Sequence, residues 1–286
     1  MRRLFIKFFN LFVFSSLFIA LCAVAMVYQT YYLFHIPYYQ DFIWFAFFGT
    51  LCSYNFHWYL TPALYGGSYR AQWSVKHKNL HLALYLIGLG CCGWFGVQLL
   101  EHWLWLIVTA LITFLYSAPK IPYPPFTHLK KIAVGKTIFL ALVWAHTTSL
   151  LPLLLRNMPL EPVHVIYFIN RFFFIYAICI LFDYRDREDD KRQGIKSMIT
   201  HFNERGINRL FYISILIFLI TTILLYVTGI SLINCIFFLI PGIVLGLLYD
   251  YSKKASSDYY YYFFLDGLMA LSAVLIFSFS YICPNN

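Results

Sequence analysis

Long apolar runs separated by short polar stretches form the main pattern along this chain. The runs are rich in Phe, Leu, Ile and Tyr, and most reach about 17–25 residues, the length that a helix needs to cross a bilayer. They fall near residues 4–28, 41–61, 80–99, 103–118, 132–154, 163–183, 207–228, 231–249 and 259–282. The pattern therefore predicts an all-α bundle of about nine transmembrane helices, in which the first run is kept as a helix.

The composition agrees with a membrane protein. Hydrophobic residues make up 61% of the 286-residue chain, and charged residues make up only 12%, a much smaller charged share than soluble domains have. The chain is therefore predicted to be an integral, multi-pass membrane protein whose partner is the lipid bilayer. No Gly/Ser linker, polar tract or long-period repeat divides the sequence, so we expect one domain over residues 1–286.

The distribution of basic residues predicts the orientation. With the N-terminus in the cytoplasm, 19 of the 21 Lys and Arg residues fall in cytoplasmic segments, and only Arg156 and Arg171 fall elsewhere. This bias follows the positive-inside rule and predicts that the C-terminus lies outside. We expect the membrane to be a bacterial inner membrane. The net charge of +9 is interpreted as this topology signal, so no nucleic-acid partner is expected.

The densest cluster of charge follows the sixth apolar run. On a helix, Asp183, Asp186 and Asp190 are spaced at i, i+3 and i+7, which aligns three carboxylates along one face. Mg²⁺ prefers oxygen ligands and commonly binds one or two carboxylates together with substrate phosphates. Arg187 and Lys196 lie close enough in sequence to contact such a phosphate. The alternative is a solvated, self-paired charged loop, and charge alone does not separate the two interpretations.

Two stretches resemble motifs of a known family. The stretch "DYRDREDDKRQGIKS", residues 183–197, resembles the second aspartate-rich motif of the UbiA superfamily of intramembrane prenyltransferases. The stretch "LYSAPKIPYPPFTHLKK", residues 115–131, resembles the family's Tyr-Ser-x-Pro loop and includes Tyr116 and Lys120 at its Y-x-x-x-K spacing. The nine-helix plan with a cytoplasmic N-terminus also fits, so the resemblance covers essentially the whole chain.

The resemblance implies a UbiA-like cavity between the helices, open to the cytoplasm and to lipid. An isoprenyl group would there pass from a prenyl diphosphate to an aromatic or other hydrophobic acceptor. Mg²⁺ would stabilise the leaving diphosphate, and apolar walls would protect the allylic cation from water. The implied metal-binding and catalytic residues are Asp183, Asp186 and Asp190, with Lys196 as a further catalytic residue. The implied diphosphate contacts are Asn55, Arg70, Tyr116, Lys120, Arg187 and Lys196.

The family's first aspartate-rich motif is missing. It should end the second predicted helix, where Asn55 is present but Phe56, Tyr59 and Ala63 stand in place of the three aspartates. One Mg²⁺ site is therefore expected rather than two. A cationic side chain can neutralise a leaving group in place of a metal, and we predict that Arg70 does so, with Lys76, Lys78 and His57 as further candidates.

Three hypotheses follow from these features. The first is a prenyltransferase that works with one metal site. The second is a degenerate UbiA-fold protein that binds an isoprenoid or a partner without transferring the prenyl group, which the missing first motif favours. The third is a transporter or scaffold that uses the charged cluster only for topology. A further acid, Asp266 in the last predicted helix, is a candidate functional residue because carboxylates are costly inside a membrane.

Overall fold

The computed structural model describes residues 2–61, 68–117, 136–192 and 198–282. Every regular element in these ranges is helical, which confirms the predicted all-α class. The helices are α1 Arg2–Phe14, α2 Leu17–Leu33, α3 Gln40–Tyr59, α4 Tyr69–Lys76, α5 Lys78–Gln98, α6 Trp103–Ser117, α7 Lys136–Ala145, α8 Leu151–Leu154, α9 Pro162–Arg192, α10 Met198–His201, α11 Glu204–Val227, α12 Leu232–Leu247, α13 Tyr249–Lys254 and α14 Asp266–Ile282. A 3₁₀ turn covers Leu100–His102, and π-helical turns cover His146–Leu150 and Tyr260–Leu265.

Each of the nine predicted segments overlaps one or more of these helices. Within the described ranges, five helices are long and apolar enough to cross a membrane, or six if the bent pair α1 and α2 forms one span. Two further apolar helices are shorter: α6 together with the turn before it, and α12. The chain is an integral membrane helix bundle, and the number of nine crossings stays a prediction.

The first apolar run differs from its prediction as one continuous helix. The chain bends by 55° between α1 and α2, at a break formed by Ser15 and Ser16, both of which are buried. Ser16 has a φ of 69°, in the left-handed region, which interrupts the helix. The serine hydroxyl also competes with the hydrogen bonds of a helix, so the two serines disfavour a continuous helix here, which hydropathy alone does not reveal.

The long helix α9 lies at the centre of the packing and contacts both α7 and α11. Phe174 of α9 packs against Phe218 of α11 with ring centroids 5.1 Å apart, and both side chains are fully buried. α2 packs between α3 and α14. The apolar faces of α9 and its neighbours therefore form the main core and fix the position of the charged end of α9.

α3 and α5 approach each other closely. A Cβ on Gly88 would lie 2.9 Å from the backbone nitrogen of Cys52, so only glycine allows this spacing. Most of α5 is not covered by protein: large apolar side chains such as Trp94 and Val97 are 67% and 60% exposed. This surface is suited to contact lipid.

Candidate functional site

α9 carries the predicted aspartates on regular helix. It continues beyond the end of its apolar span at Glu188 to Arg192, so Asp183, Asp186 and Asp190 keep the i, i+3, i+7 spacing along one face. This end of the bundle is the end that the charge bias predicts to be cytoplasmic. The extended helix therefore presents a row of carboxylates where α9 leaves the apolar core.

A neighbouring flank of this helix end is fixed to α11 and α13. The Tyr184 hydroxyl contacts the Glu204 carboxylate at 3.3 Å, and Lys253 Nζ donates to Glu204 Oε1 at 2.8 Å. Arg187 donates from Nη2 to the Phe202 carbonyl at 2.8 Å, and its Nη1 lies 3.7 Å from Glu204 Oε2. Arg187, a predicted diphosphate contact, therefore binds the start of α11 in this structure.

The carboxylate face has partners of its own. Asp183 is 8% exposed and accepts a hydrogen bond from the Thr137 hydroxyl of α7. Asp186 is held by the neighbouring Arg185, whose Nε and Nη2 lie 2.7 Å and 3.2 Å from the two carboxylate oxygens. Asp190 is 7% exposed. Asp183 and Asp186 thus have hydrogen-bond partners within the fold, and Asp190 is buried.

These carboxylates supply suitable donors for one Mg²⁺. Within the described ranges, no group of three or more His, Cys, Asp or Glu side chains is close enough to hold a metal. Mg²⁺ does not need such a group, because it usually takes one or two carboxylates and completes its shell with water and phosphate oxygens. Asp186, whose side chain is 47% exposed, could supply one such carboxylate, and both of its oxygens bond to Arg185 in this structure.

A second metal does not fit the positions of the missing motif. The Phe56 ring packs 5.1 Å from the Tyr85 ring, and the Lys78 ammonium lies 4.9 Å above the Tyr59 ring. Ala63 lies outside the described residues. Aromatic packing and a lysine therefore occupy the side of α3 where the family's first motif would supply carboxylates.

Arg70, another predicted diphosphate contact, is buried in a cage of aromatic rings. It is only 3% exposed, and its guanidinium carbon lies 4.3 Å from the Trp58 ring centre and 4.0 Å from that of Tyr262. Its backbone nitrogen donates to Asp258 Oδ2 at 2.7 Å. Burial lowers the pKa of the Arg70 guanidinium, and the nearby Tyr262, Asp266, Tyr54 and Asp258 side chains oppose this effect.

Arg185 joins this cage to the carboxylate face, although sequence reasoning did not select it as a site residue. Its Nη2 donates to the Tyr262 hydroxyl at 2.7 Å, and its Nη1 lies 3.8 Å from Asp258 Oδ1. The signal in the sequence was its position between two acids of the motif. Its partners Asp258 and Tyr262 come from the tyrosine-rich segment before α14, which only folding brings close.

The remaining predicted residues divide into three cases. Asn55 is fully buried, and its amide bonds to the carbonyls of Ser15 and Leu51 at 3.0 Å and 2.8 Å and to His81 Nδ1 at 2.7 Å. Tyr116, at the end of α6, stacks on His57 with ring centroids 5.4 Å apart. Lys120 and Lys196 lie outside the described residues. The structure thus brings Arg70 close to the carboxylate face and places Asn55 inside the bundle.

Fold and site together define an integral membrane protein whose helix bundle carries an acidic and cationic cluster at one end. The sequence model of the UbiA prenyltransferase family matches residues 75–268. The chain belongs to this family, which confirms the resemblance drawn from its motifs. The matched range includes all of α9 but begins after Asn55 and Arg70. No curated protein and no solved structure matches the chain.

Proposed function

We propose that this protein transfers an isoprenyl group from a prenyl diphosphate to an aromatic or other lipid-soluble acceptor within the membrane. The observation that carries this proposal is the carboxylate face of α9, which lies within the range matched by the UbiA family. A charged site at the end of an apolar bundle suits a substrate with a diphosphate head and a hydrocarbon tail, because each part then meets a matching environment.

The three aspartates and four of the predicted diphosphate contacts have proposed roles. Asp186 and Asp190, with Asp183 supporting them, would hold one Mg²⁺, which would supply positive charge to the diphosphate. Tyr116, Lys120, Arg187 and Lys196 are proposed to contact the diphosphate oxygens. For Arg187 this requires a change of partner, because its guanidinium binds the Phe202 carbonyl here.

The proposed reaction begins with heterolysis of the bond between the allylic carbon and the diphosphate oxygen. The electron pair of that bond leaves with the diphosphate, and the cationic side chains around it stabilise the charge that develops. The acceptor then forms a new bond to the allylic carbon and releases a proton. The apolar bundle keeps water away from the cation, which water would otherwise capture as an alcohol.

The test is binding of farnesyl thiolodiphosphate to the purified full chain over a range of Mg²⁺ concentrations. We expect Mg²⁺ to strengthen binding by about tenfold or more in the wild type, which corresponds to about 1.4 kcal/mol. The double variant Asp186→Asn with Asp190→Asn should lose this enhancement. Asp250→Asn is the control, because that carboxylate is 80% exposed on the neighbouring helix α13. An unchanged Mg²⁺ response in the double variant would refute the site assignment.

The degenerate alternative is favoured by one observation, the aromatic packing of Phe56 and Tyr59 where the family's first motif should lie. Incubation with labelled prenyl diphosphates and a panel of aromatic and lipid acceptors separates the two functions. Transfer to any acceptor supports the enzyme. Binding without transfer, combined with transfer created by Phe56→Asp, Tyr59→Asp and Ala63→Asp together, supports a protein that retained the fold and lost the chemistry.

A further inference from the structure

The cage around Arg70 contains buried hydrogen-bond donors that lack acceptors. Nε and Nη2 of Arg70 and Nη1 of Arg185 are buried without a hydrogen-bond acceptor among the described residues. Buried guanidinium nitrogens normally bond to carboxylates, carbonyls or water, because leaving them unpaired costs free energy. Arg185 Nη1 has only a long contact, 3.8 Å, to Asp258 Oδ1, and the two Arg70 nitrogens have no acceptor among the described residues, so an acceptor-rich group would satisfy these donors.

The two guanidinium groups lie against the same tyrosine ring. Their carbons lie 4.0 Å and 4.8 Å from the centre of the same Tyr262 ring, so their separation cannot exceed the sum of these distances. Arg70 is also held against Trp58, and the Tyr262 hydroxyl fixes Arg185. Packing against rings orients each planar group before a ligand arrives, which suits bidentate binding of phosphate.

We propose that Arg70 and Arg185 form a guanidinium pair that binds the substrate diphosphate without a metal, in the place of the family's missing first aspartate motif. This inference rests on the proposed function and extends it, because it assigns Arg185 a substrate-binding role and makes part of the binding independent of Mg²⁺. The pair supplies two positive charges beside the Tyr262 ring, whereas the positions of the missing motif supply no carboxylate for a second metal.

Three acids lie near the two guanidinium groups, and their contacts indicate which one an entering diphosphate would replace. Asp258 uses Oδ2 to accept from the Arg70 backbone, and its Oδ1 is 3.8 Å from Arg185 Nη1. Asp266 is 7% exposed and acts on both guanidinium groups through space. Asp186 is the acid that directly binds Arg185. In the proposed exchange, a diphosphate oxygen replaces Asp186 on Arg185, and Asp186 becomes available to a cation.

This exchange makes an unusual prediction for Asp186→Asn. If Asp186 served only the metal, its loss would leave metal-free binding unchanged. If it competes with the diphosphate for Arg185, removing its charge should strengthen metal-free binding while abolishing the Mg²⁺ enhancement. The same substitution therefore has opposite effects in the two conditions.

The experiment measures binding of farnesyl thiolodiphosphate and of inorganic diphosphate to the full chain in nanodiscs of zwitterionic lipid, with either Mg²⁺ or EDTA. Zwitterionic lipid prevents anionic headgroups from competing for the arginines. In EDTA we expect the wild type to bind both probes, and Arg70→Gln and Arg185→Gln each to weaken binding about tenfold or more. Arg156→Gln is the control, because its guanidinium binds the Pro37 and Tyr38 carbonyls at the far end of the bundle.

Four outcomes would overturn the guanidinium pair, and the fourth applies only if a glutamine variant does not fold. Wild-type affinity in both glutamine variants would refute it while leaving the proposed function intact, and so would wild-type binding that disappears completely in EDTA. Absence of binding in the wild type even with Mg²⁺ would refute the pair and the proposed function together. If a glutamine variant does not fold, Arg70→Lys and Arg185→Lys take its place, because lysine keeps the positive charge but cannot make the two parallel hydrogen bonds of a guanidinium group. Intermediate affinity is then expected, and wild-type affinity in both lysine variants would contradict the proposal.

Discussion

Replacing Asn55 by alanine is expected to destabilise the bundle while leaving diphosphate affinity unchanged. The Asn55 side chain joins three parts of the fold, since it bonds to Ser15 at the break between α1 and α2, to Leu51 on its own helix and to His81 on α5. Because Nδ2 donates to two carbonyls, Oδ1 faces His81 and accepts from its Nδ1. The resemblance predicted a ligand contact here, whereas these hydrogen bonds favour a structural role.

The magnitude follows from the groups that the substitution leaves unpaired. The Leu51 carbonyl keeps its helical partner, but the Ser15 carbonyl and the His81 N–H lose theirs. A buried group without its partner costs about 1–3 kcal/mol in soluble proteins, and hydrogen bonds inside membranes average only about 0.6 kcal/mol. Two such losses predict that the free energy of unfolding falls by about 1–6 kcal/mol.

The assay is unfolding by SDS in mixed micelles, together with farnesyl thiolodiphosphate binding to the folded fraction. Ser53→Ala is the matched control, because Ser53 is half-buried on the same helix. The losses from Asn55→Ala and His81→Ala should not add in the double variant, since both remove one shared contact. Wild-type stability with a tenfold loss of ligand affinity in Asn55→Ala would show that Asn55 binds substrate instead.

Two further predictions concern packing and topology. Gly88→Val should lower the free energy of unfolding by about 1–3 kcal/mol, because the valine side chain would press on the α3 backbone. Gly90 faces open space, so Gly90→Ala should change the free energy of unfolding by less than about 1 kcal/mol. Equal effects of the two substitutions in the same SDS assay would contradict the close approach of α3 and α5. For the topology, Glu161→Cys and Ser256→Cys place single cysteines at exposed positions in a chain whose native cysteines are replaced. In intact cells, a membrane-impermeant maleimide should label Glu161→Cys and not Ser256→Cys. The reverse labelling pattern would contradict the predicted orientation.

Several properties could be predicted from the sequence because they depend on local order. Apolar runs of bilayer length define membrane helices, since each backbone polar group in lipid must be satisfied within its own helix. The row of Asp183, Asp186 and Asp190 follows from helical periodicity as soon as α9 is known to extend through the motif. The family was likewise predictable, because its motifs are short, continuous stretches of sequence.

Other properties were set only by tertiary packing. The break at Ser16 lies within an apolar run that hydropathy treats as continuous, and Asn55 of α3 binds the carbonyl beside it. The resemblance could align Asn55 with a family ligand, but it could not show that Ser15 and His81 already use its amide. Burial of the amide, rather than residue type, determines which partners it can reach.

The clearest case is the guanidinium pair. Composition and periodicity alone assign Arg70 and Arg185 to the positive-inside bias and do not connect them. The fold brings Asp258, 188 positions away, to the Arg70 backbone, and Tyr262, 77 positions away, to Arg185. Which charges meet depends on how α4, α9 and the segment before α14 pack together. The sequence by itself determined a membrane bundle with an acidic helix end, and tertiary structure decided which cations face it, because desolvation makes a buried charge depend on its neighbours in space.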